Sequence, residues 1–282
     1  MKTPEHNKTT MELKESDFQK ISRLVHEQCG INLHDGKKEL VKARLSKRLR
    51  EGNFASFSDY YRHVTTDEGQ DELVMMIDSL STNLTYFFRE FGHFKTLRSV
   101  LPEMAAARNG DRKGARLQIW SAACSSGEEP YSLAITLREV LGSKPVPVSI
   151  LAKDISTRVL DTAIRGIYPR ERMKDVSDQI LKTYFRYGSG KWTGFYQVKK
   201  EIRDMVRFLR FNLMDLPPAD FASDVIFCRN VMIYFDKPTQ EMLVNRLYRI
   251  LNKDGYCFVG HSESLTGLAH PFNYVEPSVY RK

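Results

Sequence analysis

Three short runs in this chain place polar side chains where an open α/β sheet puts its ligands, beyond the carboxyl ends of the strands. The first is Ser121-Ala122-Ala123-Cys124-Ser125-Ser126-Gly127-Glu128-Glu129-Pro130. It joins an apolar strand, Leu117 to Trp120, to a helix from about Glu128 to Leu141. Its small side chains would let a ligand approach the backbone. Dinucleotide folds carry G-x-G-x-x-G at this point and set a phosphate on the helix N-terminus. This loop has one glycine followed by two acids, and the acids would repel a phosphate. They suit a cationic ligand that lacks one. They also suit the helix itself, whose N-terminus favours negative charge, so the loop alone leaves both readings open.

S-adenosylmethionine, with a sulfonium and an ammonium, is a cofactor of that kind. The second run supports it: Asp154 ends the next strand, where a carboxylate can accept both ribose hydroxyls of an adenosine. Asp154 could instead cap the following helix, although Ser156 also qualifies. The third run, Cys228-Arg229-Asn230-Val231-Met232-Ile233-Tyr234-Phe235, closes a third strand. There Asn230 and Tyr234 would overhang the cleft while Val231, Ile233 and Phe235 pack. The Asn/Asp-Pro-Pro-Tyr run common in methyltransferases that act on DNA bases is absent. A fourth polar and aromatic run, Ser81 to Glu90, reads from composition as an amphipathic linker helix.

The elements that must hold these runs follow from periodicity. Residues 1–14 read as a disordered lead. Ser16 with Gln19 has capping-box form, Phe18, Ile21, Leu24 and Val25 share a face, and Gly30 ends that helix. A second helix covers about Gly36 to Arg50, with Val41, Leu45 and Leu49 inward. Its other face holds Lys37, Lys38, Lys42, Arg44, Lys47, Arg48 and Arg50 against one acid, Glu39. Helices over Ser56 to Val64 and Asp71 to Leu80 complete an all-helical N-terminal domain, 15–80. A linker region, 81–114, ends in the polar stretch Asn109 to Gly114.

From 115 to 282 strands alternate with helices: Leu117 to Trp120, Val146 to Ala152, Val225 to Cys228 and Tyr256 to Val259, with helices at Glu128 to Leu141, Thr157 to Ile164 and Gln240 to Leu251. That rhythm predicts a doubly wound, mainly parallel sheet of Rossmann-like type. Residues 184–211 break it. Tyr184 to Tyr187, Gly194 to Val198 and Met205 to Phe211 look like three strands of an inserted antiparallel β-subdomain.

Bulk composition narrows the class. The chain has 282 residues, 41% hydrophobic and 28% charged, as soluble globular proteins do. No apolar run approaches the roughly 18–20 residues of a membrane span, and the polar N-terminus lacks a secretory signal's apolar core. A cytoplasmic protein is expected. The four cysteines show no C-x-x-C and the seven histidines no H-x-x-x-H spacing, so no metal and no disulfide framework is expected. The net charge of +8 points to an acidic partner. No heptad or broad apolar stripe calls for a dimer, so a monomer is expected.

Taken in order, N-x-T-x-F-F-R-E (Asn83 to Glu90), S-A-A-x-S-x-G-E-E-P-Y-S (Ser121 to Ser132), F-C-R-N-V-M-I-Y-F-D (Phe227 to Asp236) and G-H-S-E (Gly260 to Glu263) resemble the bacterial chemotaxis receptor methyltransferases, the CheR family. The likeness covers about Ser16 to Tyr280. It implies a small helical domain, then an α/β domain with an antiparallel subdomain. The implied reaction methylates glutamate side chains of chemoreceptors, converting S-adenosylmethionine to S-adenosylhomocysteine and forming γ-methyl esters.

The resemblance also implies residue roles. Asn83, Thr85 and Arg89 would close over the methionine end of the cofactor. Ala123 and Glu129 would hold its methionyl part, Glu129 facing the ammonium. Asp154 would take the ribose, Asn212 and Leu213 would flank the adenine, and Arg229 and Asn230 would line the remaining wall. As catalytic residues, Tyr234 would sit near the departing methyl and Arg89 would orient the incoming carboxylate. Lys42, Arg44, Lys47, Arg48 and Arg50 would face the acidic receptor helix. In some members of the family the subdomain docks a receptor's C-terminal tail by strand addition. Two other readings weaken on the residues. A nucleic-acid enzyme should interleave base-stacking aromatics with its basic patch, and Lys37 to Arg50 has none. A non-catalytic binding module would be favoured by replacement of Arg89 or Tyr234, and both are present. Neither nucleic acid nor direct membrane insertion is expected.

Overall fold

Four helices with one apolar face each build the first unit. The structure, a computed structural model, describes residues 11–109, 116–142 and 148–282. The chain divides into two compact units, Met1–Thr82 and Asn83–Lys282. The first contains α1 (Glu15–Cys29), α2 (Lys38–Glu51), α3 (Phe57–Val64) and α4 (Gln70–Leu80). Val41, Leu45 and Leu49 of α2 and Phe18, Ile21 and Val25 of α1 are fully buried. The expected helices are all present. Their ends differ in detail. α1 begins at Glu15 with no side-chain cap, so Ser16 and Gln19 form no capping box; Gln19 instead donates to Glu15 (2.9 Å) and Asp35 (3.2 Å). Gly30 closes α1 with φ 75°.

The second unit contains α5 (Phe91–Asn109), β1 (Leu117–Ala122), α6 (Glu128–Leu141), β2 (Val148–Asp154), α7 (Thr157–Arg165), β3 (Ile167–Pro169), α8 (Asp178–Tyr184), β4 (Phe185–Tyr187), β5 (Phe195–Val198), α9 (Lys200–Arg203), β6 (Val206–Arg210), β7 (Ser223–Cys228), α10 (Lys237–Ile250), β8 (Leu251–Val259), β9 (Asn273–Glu276) and β10 (Val279–Arg281). A seven-stranded sheet runs β6-β2-β1-β7-β8-β10-β9. Its first five strands are parallel, and β10 pairs antiparallel with both β8 and β9. The strand order reverses between β1 and β7, where ligands of this architecture bind. β1 and β7 are buried almost throughout, as central parallel strands must be. The Phe227 and Phe258 rings stack at 4.4 Å beneath α5.

Three expectations are corrected. Met205 to Phe211 is extended, but β6 pairs parallel with β2, Ile150 opposite Val206, and joins the main sheet. Val206 and Phe208 pack on the main core, which is why this strand leaves the subdomain. The small sheet takes Ile167–Pro169 as its third strand, in the order β3-β5-β4, with antiparallel pairing throughout. Ser81 to Glu90 is not a helix. Phe88 and Glu90 have φ of 55° and 56°, which no helix accommodates. Phe87 and Phe88 are buried, Phe87 edge-on to Tyr168 (5.0 Å) and Phe185 (5.3 Å). The pair anchors the irregular entry to α5 in the core. Finally, α10 starts at Lys237 rather than Gln240, because Asp236 caps it by accepting from Thr239 N (3.0 Å).

Of the expected disordered lead 1–14, residues 1–10 lie outside the described residues, but Leu13 is buried and Lys14 leads into α1, so the end of that lead is part of the fold. The polar stretch 110–114 and the first residues of the Val146 strand also lie outside the described residues. Among the described residues no helix is long and apolar enough to cross a membrane.

Leu45→Ala is expected to destabilise the protein by about 2–5 kcal/mol, since a buried leucine leaves a cavity between packed helices. Urea denaturation followed by circular dichroism measures it; a loss under about 0.5 kcal/mol, the range of surface substitutions, would contradict the packing of α2.

Candidate active site

The loop after β1 turns on three left-handed residues, Ala123 (φ 57°), Ser125 (49°) and Gly127 (96°). A side chain at Gly127 would meet the Ala163 methyl at 2.8 Å and the Tyr168 hydroxyl at 2.9 Å. The glycine is therefore required by α7 and β3 as well as by its φ. Tyr168 donates to Ser126 O (2.6 Å) and Cys124 N donates to Lys153 O (3.0 Å), which hold the loop against its neighbours.

Asp154 completes that support. Its Oδ2 accepts from Ser125 N (2.7 Å) and its Oδ1 from Ser156 N (2.9 Å). Ser156 caps α7 by accepting from Val159 N. Lys153, on the opposite face of β2, is buried against rings: its Nζ lies 4.2 Å from Phe211, 4.3 Å from Phe221 and 5.4 Å from Trp120. Burial lowers its pKa, and the ring faces stabilise the cation that remains.

The two acids after Gly127 part company. Glu128 is fully buried and turns to Arg172, whose guanidinium also donates to Ser126 Oγ (2.8 Å); burial raises the Glu128 pKa. It does not face the cleft. Glu129 accepts from Ser121 Oγ (2.7 Å) and pairs with Arg229 (3.0 Å). Burial pushes its carboxyl up, against the pull of Arg229 and Ser121.

Arg229 is the hub. Its side chain is 1% exposed, and it spans Glu129, Glu90 (2.9 Å) and the Arg89 carbonyl. It rests over Phe94 and Phe227. Its charge is committed to the protein. For Glu90, burial acts upward, but Arg229, Asn230 Nδ2 (3.2 Å) and His261 N (3.2 Å) together hold its pKa below the usual range. Asn230, at φ 58°, donates its backbone N–H to Glu263 (2.6 Å). Glu263 is buried and also accepts from Gly260 N (2.7 Å) and Ile233 N (3.2 Å). It staples the turn after β7, which carries half-buried Tyr234, to the segment after β8.

The other implied residues fall on the same end of the sheet or on its approaches. Asn83 O accepts from Ser125 Oγ (3.0 Å), which brings the Asn83 segment to the loop; Asn83 Nδ2 is buried with no partner. Thr85 is half-buried. Arg89 donates to Leu84 O (2.9 Å) and lies 5.7 Å from the Tyr86 ring. Asn212 Oδ1 accepts from Met214 N (3.0 Å), and Leu213 is buried. Sequence reasoning passed over Glu90, Glu263 and the Glu128–Arg172 pair as working parts. Glu90 and Glu263 each end a quoted motif, the one signal available.

In the helical unit the basic face of α2 divides. Arg44 donates to Leu80 O and Ser81 O (3.2 Å) at the C-terminal end of α4. Arg48 chelates Glu72, which also accepts from Tyr60 (2.8 Å). These two brace the helices. Lys42 is half-buried, and Lys47 and Arg50 are exposed.

A mainly parallel sheet with a switch point, a glycine-poor loop and acids in place of phosphate-binding cations defines a nucleoside-binding methyltransferase architecture. S-adenosylmethionine fits the residues present: an unpartnered buried amide at Asn83, a carboxylate at Glu129 and a carboxylate at the end of β2. Residues 83–281 match the family described as CheR methyltransferase, SAM binding domain, and residues 16–81 match CheR methyltransferase, all-alpha domain. The chain is 43% identical over 268 residues to chemotaxis protein methyltransferase 2 of Pseudomonas aeruginosa, covering 94% of this chain and 92% of that one. It is 40% identical over 271 residues to the chemotaxis protein methyltransferase of Escherichia coli, covering 95% and 91%. The chain belongs to the CheR methyltransferase family, and its second unit is an S-adenosylmethionine-binding domain.

Arg229→Met is expected to cost about 3–5 kcal/mol, because it leaves the Glu90 and Glu129 carboxylates buried without their cation. Thermal denaturation measures this; an unchanged melting temperature would show that the hub does not bear on stability.

Proposed function

We propose that this protein acts in the cytoplasm to transfer a methyl group from S-adenosylmethionine to glutamate side chains of chemoreceptors, forming γ-methyl esters. Continuous membership of the CheR family across both units, residues 16–281, carries this reading. The cofactor supplies a methyl group already activated by its sulfonium. The acceptor is a carboxylate with a reference pKa of about 4.3, ionised at neutral pH. The protein therefore has no proton to remove. Its task is alignment, which can be worth about 7–11 kcal/mol.

Asp154 takes the ribose hydroxyls, its own orientation set by the Ser125 and Ser156 amides. Glu129 faces the ammonium, steadied by Ser121 and Arg229. Asn83 offers its unpartnered amide to the methionyl end, with Thr85 beside it and Ala123 leaving backbone room. Asn212 and Leu213 flank the adenine, and Asn230 completes the wall that Arg229 supports. Arg89 orients the incoming carboxylate, and Tyr234 borders the methyl's path. Lys42, Lys47 and Arg50 attract the acidic receptor helix, while Arg44 and Arg48 hold α2 in place to present them. β4 is an edge of the small sheet, with Tyr187 half-exposed and Trp192 nearby. Strand addition there is the route by which a receptor tail would dock.

The deciding assay uses radiolabelled S-adenosylmethionine with receptor-containing membranes. Base-labile label on the receptor is expected; label confined to nucleic acid, or tight cofactor binding with no transfer, overturns the proposal. Asp154→Ala is expected to weaken cofactor binding about 10–100-fold, as lost charged hydrogen bonds do. Unchanged affinity by calorimetry would remove Asp154 from the site. Reversing charge at Lys47 and Arg50 should raise the KM for receptor and leave cofactor affinity intact; an unaltered KM would make the α2 face a solvated surface.

A further inference from the structure

Glu90, His93 and His261 converge from the turn before α5, the first turn of α5 and the segment after β8. One ligand atom from each lies within 4.8 Å of the others. The methyl transfer uses neither histidine. His93 is 2% exposed, and neither of its ring nitrogens has a hydrogen-bond partner. Its Nδ1 lies 3.5 Å from Glu90 Oε2, and its ring meets that of His261 edge-on with centroids 4.8 Å apart. An enclosed imidazole without partners loses its solvation with nothing in return, a deficit that a coordinate bond would remove.

We propose that Glu90, His93 and His261 form a binding site for a borderline transition-metal dication of the Zn2+, Co2+, Ni2+ and Cu2+ group. Two imidazoles and one carboxylate select such ions over Ca2+ and Mg2+, which take oxygen ligands. Local charge permits entry. The Arg229 guanidinium beside the site is paired with both Glu90 and Glu129, which offset its repulsion of a dication. Tetrahedral ligands about a zinc-sized ion stand about 3.3 Å apart, so the set must contract. The exposed His261 side chain is free to swing inward, and its exposure leaves a fourth position open to water. Coordination would tie the start of α5 to the segment after β8.

The experiment titrates the full, chelator-stripped protein with Co2+, following visible d–d absorption, and with Zn2+ by calorimetry. One equivalent is expected to bind, with a raised melting temperature in Zn2+. His261→Ala removes an exposed ligand without touching the core, and is expected to weaken binding at least about tenfold and abolish the melting shift. His93→Gln is expected to do the same. Absence of binding by the unaltered protein overturns the site. So do unchanged affinity in both variants, which assigns the ion elsewhere, and a cobalt–thiolate charge-transfer band, which assigns it to cysteine.

Discussion

A single buried guanidinium, that of Arg229, holds together the carboxyl end of the central strands. It reaches Glu129 at the start of α6 and, just before α5, Glu90 and the Arg89 carbonyl, two segments far from each other and from Arg229 itself in sequence. A charge so enclosed is costly unless it is paired, and the pairing determines where those segments can lie. Phe94 and Phe227 cover it from beneath. The turn after β7 is then fixed from the other side by Glu263, which accepts three backbone amides.

This arrangement suits a reaction that needs placement more than proton transfer. Side chains that look like reagents in the sequence are spent on holding one another. Asp154 is steered by two amides, Glu129 by a hydroxyl and a guanidinium, Asn230 by a carboxylate. Rigid first contacts keep a ligand's reacting atoms within the narrow limits that alignment demands. The Glu128–Arg172 pair extends the same logic outward, linking the loop after β1 to the chain leaving β3 of the small sheet.

Division of labour also marks the basic helix α2. Its charge density is evident from composition, yet the side chains do different things. Arg44 and Arg48 satisfy groups at and beside α4, the first on orphan carbonyls at a helix end, the second on a carboxylate. Lys47 and Arg50 point to solvent. A run of like charge thus contains both braces and exposed side chains.

Local periodicity by itself determined the helices of the first unit, the alternation of strands and helices in the second, and the presence of an inserted antiparallel pair, because amphipathic spacing is a property of neighbouring residues. Motif order determined the family and the cofactor, and named the residues at the ends of β1, β2 and β7. Tertiary structure decided what spacing cannot carry. β6 reads as extended either way, and only its packing of Val206 and Phe208 on the main core assigns it to the large sheet. Ser81 to Glu90 has helical composition, but burying Phe87 and Phe88 forces left-handed turns that end any helix. Glu128 and Glu129 are adjacent and alike in sequence; their different neighbours, Arg172 and Arg229, lie 44 and 100 residues away and give them different work.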